Sequence, residues 1–164
     1  MKSLYLIGGP MGVGKTTVCQ LLKKTLPNTV FLDGDWCWDA DPFVVTPETK
    51  TMVIDNICHL LNNFLACSAY SNVVFCWVMH EDTIINDILL RLQIDGVLVH
   101  SISLVATSKA LQERLSFDIQ AGLRQPDVIR RSLSRLPLYQ ALSTTKIDTT
   151  HKSPRQVADE IISL

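Results

Sequence analysis

Short, unbroken apolar runs alternate along this chain with longer stretches whose apolar positions recur every three or four residues. "SLYLIG" (3–8), "TVFLD" (29–33), "NVVFCWVM" (72–79), "VLVHSISLVA" (97–106) and "TTKID" (144–148) are runs of the first kind. Such runs predict strands covered on both faces. Between them, Val18, Leu22 and Leu26 share one helical face, as do Val53, Ile57, Leu60, Leu61 and Phe64. Ile85, Ile88, Leu89 and Leu92 form a third face, Leu111, Leu115 and Ile119 a fourth, and Ile129, Leu133 and Leu136 a fifth. Several of these helices carry their own end signals. Thr46 stands as an N-cap before Pro47, and Ser153 before Pro154 with Gln156 in reach for a capping box. Gly122 stands where a left-handed residue closes a helix. Strands alternating with helices predict one α/β domain over residues 1–164, a parallel sheet with helices on both faces. No repeat, low-complexity tract or linker interrupts that pattern.

Composition narrows the function classes more than the fold. A net charge of −1 over 164 residues gives no extended basic face for a nucleic-acid duplex, although a local basic site remains open. The longest apolar run, "VVFCWVM", is far short of the ~20 residues of a membrane helix, and "MKSLYLIGG" is too short for a secretory core. Five cysteines, odd in number and with no Cys-x-x-Cys pair, read as reduced small core residues. A cytoplasmic protein without a membrane partner is the expectation.

The first strand runs into "GGPMGVGKTT" (8–17), which matches glycine, four residues, then Gly-Lys-Thr: Gly9, Pro10, Met11, Gly12, Val13, Gly14, Lys15, Thr16, with Thr17 following. The chemistry accounts for each residue type. Glycines let successive backbone N–H groups turn inward on phosphate oxygens. Lys15 brings a point charge to the β- and γ-phosphates, Thr16 offers a hydroxyl to Mg²⁺, and the helix opening there points its positive end at the anion. Beyond the second strand, "FLDGDWCWD" places Asp33 and Asp35 around Gly34, with Trp36, Trp38 and Phe43 close behind. Parallel strands end on one edge, so Asp33 is expected beside the phosphate site. Asp-Gly is also an ordinary turn pair. The aromatics are read either as the wall of an acceptor pocket or as cover for the edge of the core.

Together, the early phosphate loop, "LDGD" and an arginine-rich segment before the last strand resemble the P-loop small-molecule kinases. That group includes the shikimate, gluconate, adenylylsulfate and nucleoside monophosphate kinases and the chloramphenicol phosphotransferases. The resemblance implies a three-layer P-loop NTPase fold, a five-stranded parallel sheet in order 2-3-1-4-5, and ATP with Mg²⁺ as phosphoryl donor. It assigns Asp33 to the metal with Thr16, and Asp35 to the acceptor as base, with Trp36 and Trp38 beside it. Five of the seven arginines lie between Arg114 and Arg135. By position Arg114 resembles the arginine on the adenine, while Arg124 and Arg130 or Arg131 resemble arginines of a lid spanning about 114–136. A solvated helix face is the simpler reading of that charge run, with Asp118 pairing Arg114 and Asp127 pairing Arg131 at helical spacing. The stretch 146–154 resembles the segment that holds adenine through its backbone.

The chain also departs from its relatives. The third strand ends without the usual metal-site aspartate, which leaves Asp33 to carry that work alone or with Asp82 from a shifted position; His80 follows the same strand. Shikimate kinases carry a glycine cluster after this strand, and gluconate kinases a His-Pro after the aspartate pair. Neither occurs here. The expected function is therefore transfer of the γ-phosphate of Mg-ATP to a hydroxyl or phosphate of an unspecified small molecule. The rival readings are a polynucleotide-end kinase and a nucleotide-binding regulatory protein or slow NTPase.

Overall fold

The computed structural model describes residues Met1–Leu164. Five strands, β1 (Lys2–Gly8), β2 (Thr29–Asp33), β3 (Asn72–Cys76), β4 (Val97–Val105) and β5 (Thr145–Asp148), form one sheet in the order β2-β3-β1-β4-β5. Every neighbouring pair is parallel. The helices are α1 (Lys15–Thr25), α2 (Pro47–Ala66), α3 (Asp82–Arg91), α4 (Ser108–Gln120), α5 (Val128–Ala141) and α6 (Pro154–Ile162). This is the three-layer P-loop arrangement that the sequence pattern predicts.

Alternation along the strands builds two cores. Tyr5 and Ile7 of β1 pack with Val18 and Leu22 of α1, Leu111 and Leu115 of α4 and Val157 of α6. Leu4 and Leu6 turn the other way, onto Ile57 and Leu61 of α2, Ile88 of α3 and Tyr139 of α5. Both residue sets are buried, so the central strand is apolar at every interior position and reads as an unbroken run.

The local signals act where the pattern places them. Thr46 and Thr49 close a capping box at the start of α2, with Pro47 in the first turn. Ser153 and Gln156 do the same for α6. Gly122 adopts φ +73° just past the C-cap of α4. The main departure is β3, which stops at Cys76 rather than running on to Met79. The Trp77 N–H still donates to the Ile7 carbonyl of β1 at 3.2 Å, and its indole lies against Gly34, just past the end of β2.

Strand order also decides what surrounds the phosphate loop. β1 lies between β3 and β4, so the segments leaving β2 and β3 fall on one side of the loop. Those leaving β4 and β5 fall on the other. The crevice between them is where ligands enter open parallel sheets.

Candidate active site

The loop between β1 and α1 is held from several directions. Gly12 has φ +84°, and a Cβ there would stand 2.5 Å from the Leu115 side chain of α4, so only glycine fits. The fully buried Ser132 of α5 donates its hydroxyl to the Met11 carbonyl at 2.7 Å. Arg114 of α4 donates to the Val13 carbonyl at 3.4 Å and to the Thr149 hydroxyl and carbonyl at 2.9 and 2.8 Å. The arginine thus ties the loop to the segment after β5 through its fork of donors. Lys15 donates to the Gly9 and Pro10 carbonyls at 2.7 and 3.1 Å. Burial lowers its pKa, a shift opposed by the nearby Cys76, Asp35 and Asp33.

Asp33 is buried at the end of β2, and both its oxygens are engaged. One accepts the Thr16 hydroxyl at 2.7 Å. The other accepts the Asp35 backbone N–H at 3.1 Å and caps a short 3-10 helix, Gly34–Cys37. Turn capping and proximity to the phosphate loop are therefore properties of the same carboxylate. The register explains the reach: Asp33 lies level with Cys76, which lies level with Ile7 at the end of β1.

Asp35 projects from the 3-10 helix toward the cavity. Partial burial raises its carboxyl pKa, and the Asp33 charge adds to that. Lys15, Arg124 and the neighbouring Trp77 side chain pull it back. The Arg124 charge acts on Asp35 and on Lys15 alike, so this arginine stands near both.

One cavity of about 1360 Å³ joins these groups. Gly12, Gly14, Lys15, Thr16 and Thr17 form its floor, and Arg114 and Phe117 one end. Asp33 and Asp35 line it as well, with Trp38, Phe43, Trp77 and Ile84 on the side of the segments leaving β2 and β3. Arg124, Arg131 and Arg135 also face into it. Arg124 is paired with Asp118 at 3.0 Å and Arg131 with Asp127 at 2.9 Å. Arg135 has no carboxylate in salt-bridge range and is the unpaired guanidinium of the three. Asp118 thus reaches Arg124, not Arg114 as helical spacing suggests.

Some expected residues lie elsewhere. Trp36 is 58% exposed and packs edge-on to Phe31 at 5.2 Å, on the α1 side of the sheet and outside the cavity lining. Asp82 accepts the Ser143 N–H at 3.3 Å and does not line the cavity, so it adds nothing to the missing third-strand acid. His80 and Glu81 do line it, facing one another at 3.4 Å. Trp77, Arg135, Lys50 and Phe117 join the lining without having been assigned from sequence. Only Arg135 carried a signal, as part of the arginine run.

No cluster of three or more His, Cys, Asp or Glu side chains is present. The Thr16–Asp33 pair nevertheless fits Mg²⁺, which takes one or two protein oxygens and completes its shell with water and substrate phosphates. No helix is long and apolar enough to cross a membrane.

A family model described as an AAA domain matches residues 6–120, well over half of the chain. No curated protein matches by sequence. Among solved structures, the Deinococcus radiodurans tunicamycin resistance protein superposes with TM-score 0.76 at 23% identity, covering 99% of this chain and 95% of its own. A gluconokinase from Sinorhizobium meliloti 1021 gives 0.70 at 17% identity, over 99% and 90%. Shikimate kinase from Acinetobacter baumannii, solved with shikimate, gives 0.64 at 20% identity, over 99% and 92%. At such identities the shared property is the fold. The chain belongs to the AAA domain family, and it carries the P-loop fold of the small-molecule kinases.

Proposed function

We propose that this protein is an ATP-dependent phosphotransferase that moves the γ-phosphate of Mg-ATP to a hydroxyl or phosphate of a small molecule. One observation carries the reading: the phosphate loop and Asp35 line the same cavity, which also takes in aromatic and aliphatic side chains from the segments after β2 and β3. A nucleotide switch or slow NTPase needs the phosphate loop and has no use for that further lining.

Phosphoryl transfer asks mainly for position and charge. The loop N–H groups and Lys15 hold the phosphates, while Thr16 and Asp33 hold the metal. Bound there, Mg²⁺ neutralises charge on the β- and γ-phosphate oxygens. Asp35 orients the acceptor hydroxyl and takes its proton. Arg124, near both Lys15 and Asp35, spans the line of transfer, and Arg131 and Arg135 cover it from α5. Arg114 and Phe117 form the seat of the base. A lid within about 114–136 would move between the contacts that Arg114 and Ser132 make with the loop. That the gluconokinase and shikimate kinase neighbours are by name kinases of small hydroxylated acids supports the reaction class.

The test is transfer of label from γ-labelled ATP across sugars, sugar acids, nucleosides, nucleotides and alcohol-bearing antibiotics, with Lys15→Ala as the control. Label on one acceptor, lost in the control, is the expected result. ATP consumed with no labelled acceptor sinks the reading and favours a slow NTPase. Label on the end of an oligonucleotide alone moves it to a polynucleotide kinase.

A further inference from the structure

The side of the cavity formed by the segments leaving β2 and β3 has a largely apolar lining. Trp38, Phe43, Val45, Ile54, Trp77 and Ile84 belong to it, with two indole N–H groups as their only side-chain polar atoms. Trp38 and Phe43 lie against each other, with ring centroids 4.3 Å apart and their planes tilted by 35°. The apolar wall reaches the mouth, where Phe43 and Val45 remain 59% and 55% exposed. Contiguous apolar surface open to water at a cavity mouth is characteristic of a ligand-binding wall.

The polar groups of this side are few and mostly occupied. His80 and Glu81 face each other at 3.4 Å, and the other His80 ring nitrogen lies 3.2 Å from the Val78 carbonyl. Lys50 sits at the rim, exposed to solvent. Asp35 has Asp33, Lys15 and Arg124 as its charged neighbours. A polyol or sugar acid brings a hydroxyl on nearly every carbon, and each one left without a partner here carries the full cost of desolvation. A flat ring makes no such demand, and it gains from stacking on indole and phenyl faces.

Trp77 links the wall to the chemistry. It lies so close to Gly34 that a Cβ there would stand 2.5 Å from its indole carbons. It lines the cavity together with Asp35. One side chain therefore packs on the turn that carries Asp35 and lines the subsite beside it.

We propose that the acceptor is an alcohol borne on an aromatic or heteroaromatic ring, the ring lying against Trp38, Phe43 and Trp77 and the hydroxyl directed at Asp35. This rests on the phosphotransferase reading. In the transfer, the acceptor oxygen forms a bond to the γ-phosphorus as the bond from phosphorus to the β-bridging oxygen breaks. The hydroxyl proton passes to Asp35, and ADP leaves.

The test uses the full chain with Mg-ATP and four acceptors: adenosine and phenylpropanediol as ring alcohols, gluconate and shikimate as polyol acids. Product is read by mass spectrometry, and binding by saturation-transfer NMR in the presence of a non-hydrolysable ATP analogue. Ring alcohols are expected to be phosphorylated with KM at least tenfold below the polyol acids. Trp38→Ala should raise that KM at least tenfold with the KM for ATP unchanged, and Trp38→Phe should restore it. Equal or better transfer to a polyol acid overturns this inference and leaves the phosphotransferase reading standing. So does a ring-alcohol KM unmoved by Trp38→Ala. Ring alcohols that bind in a Trp38-dependent way without transfer support the subsite and sink the reaction. Neither binding nor transfer of any ring alcohol overturns the inference.

Discussion

Asp35 carries opposed demands. Its carboxyl is raised by partial burial and by Asp33, and lowered by Lys15, Arg124 and Trp77. In the proposed role it must be ionised, so the acid limb of kcat/KM should lie above the ordinary aspartate value of 3.8. The alkaline limb should lie below the ordinary lysine value of 10.5, because burial lowers Lys15. A pH profile of the transfer rate checks both, and an acid limb at or under 3.8 removes Asp35 from the base role. The same shift has a stability consequence. A carboxyl with a raised native pKa makes the native state bind more protons than the unfolded one, so it costs stability as pH rises through that range. Asp35→Asn should therefore melt higher than wild type at neutral pH, with the gain fading as pH falls from the raised native value toward 3.8 and absent below it. Its transfer rate should drop about 100-fold or more with ATP affinity nearly intact, as expected for loss of a general base. Thermal melts and single-turnover assays on one preparation separate the two effects.

At the scale of elements, α5 bears directly on the loop. Ser132 meets the Met11 carbonyl, while the Tyr139 hydroxyl, one face of the same helix further on, is buried with no hydrogen-bond partner. Burial raises the Tyr139 pKa well beyond the ordinary tyrosine value, which keeps the phenol neutral. The two hydroxyls should respond oppositely to removal. Ser132→Ala loses a bond and strands a carbonyl, at a cost of about 1 kcal/mol, and loosens the loop enough to weaken ATP binding. Tyr139→Phe removes an unpaired buried hydroxyl and should be stabilising by about 1 kcal/mol. Denaturant melts of both variants test this, and a loss of stability in Tyr139→Phe would contradict it. The helix caps were legible in sequence because each is a contact within four residues, as at Thr46–Thr49 and Ser153–Gln156. Ser132 and Met11 stand far apart in the chain, and no local pattern links them.

For the whole molecule, a ligand that binds only the folded state stabilises it by mass action. Mg-ATP at a hundred times its Kd should add about 2.7 kcal/mol, which raises Tm by roughly 5–10 °C for a chain of this size. Lys15→Ala should abolish the shift, and Asp33→Asn should make it insensitive to Mg²⁺; differential scanning fluorimetry reads both. The parallel sheet and the phosphate loop were legible in the sequence alone, while the strand order came from the resemblance to the P-loop kinases. A parallel sheet follows from alternating apolar runs and helical stripes. The phosphate loop is contiguous, so strand, glycines, lysine and threonine arrive together without help from the rest of the fold. Tertiary structure decided the acceptor half. It sent Trp36 to the α1 side and Trp38 into the cavity, turned Asp82 to Ser143, and brought Trp77 against Gly34 from the neighbouring strand. Two tryptophans separated by one cysteine look alike in sequence. Which one meets a ligand depends on the turn after Asp33 and on the strand beside it.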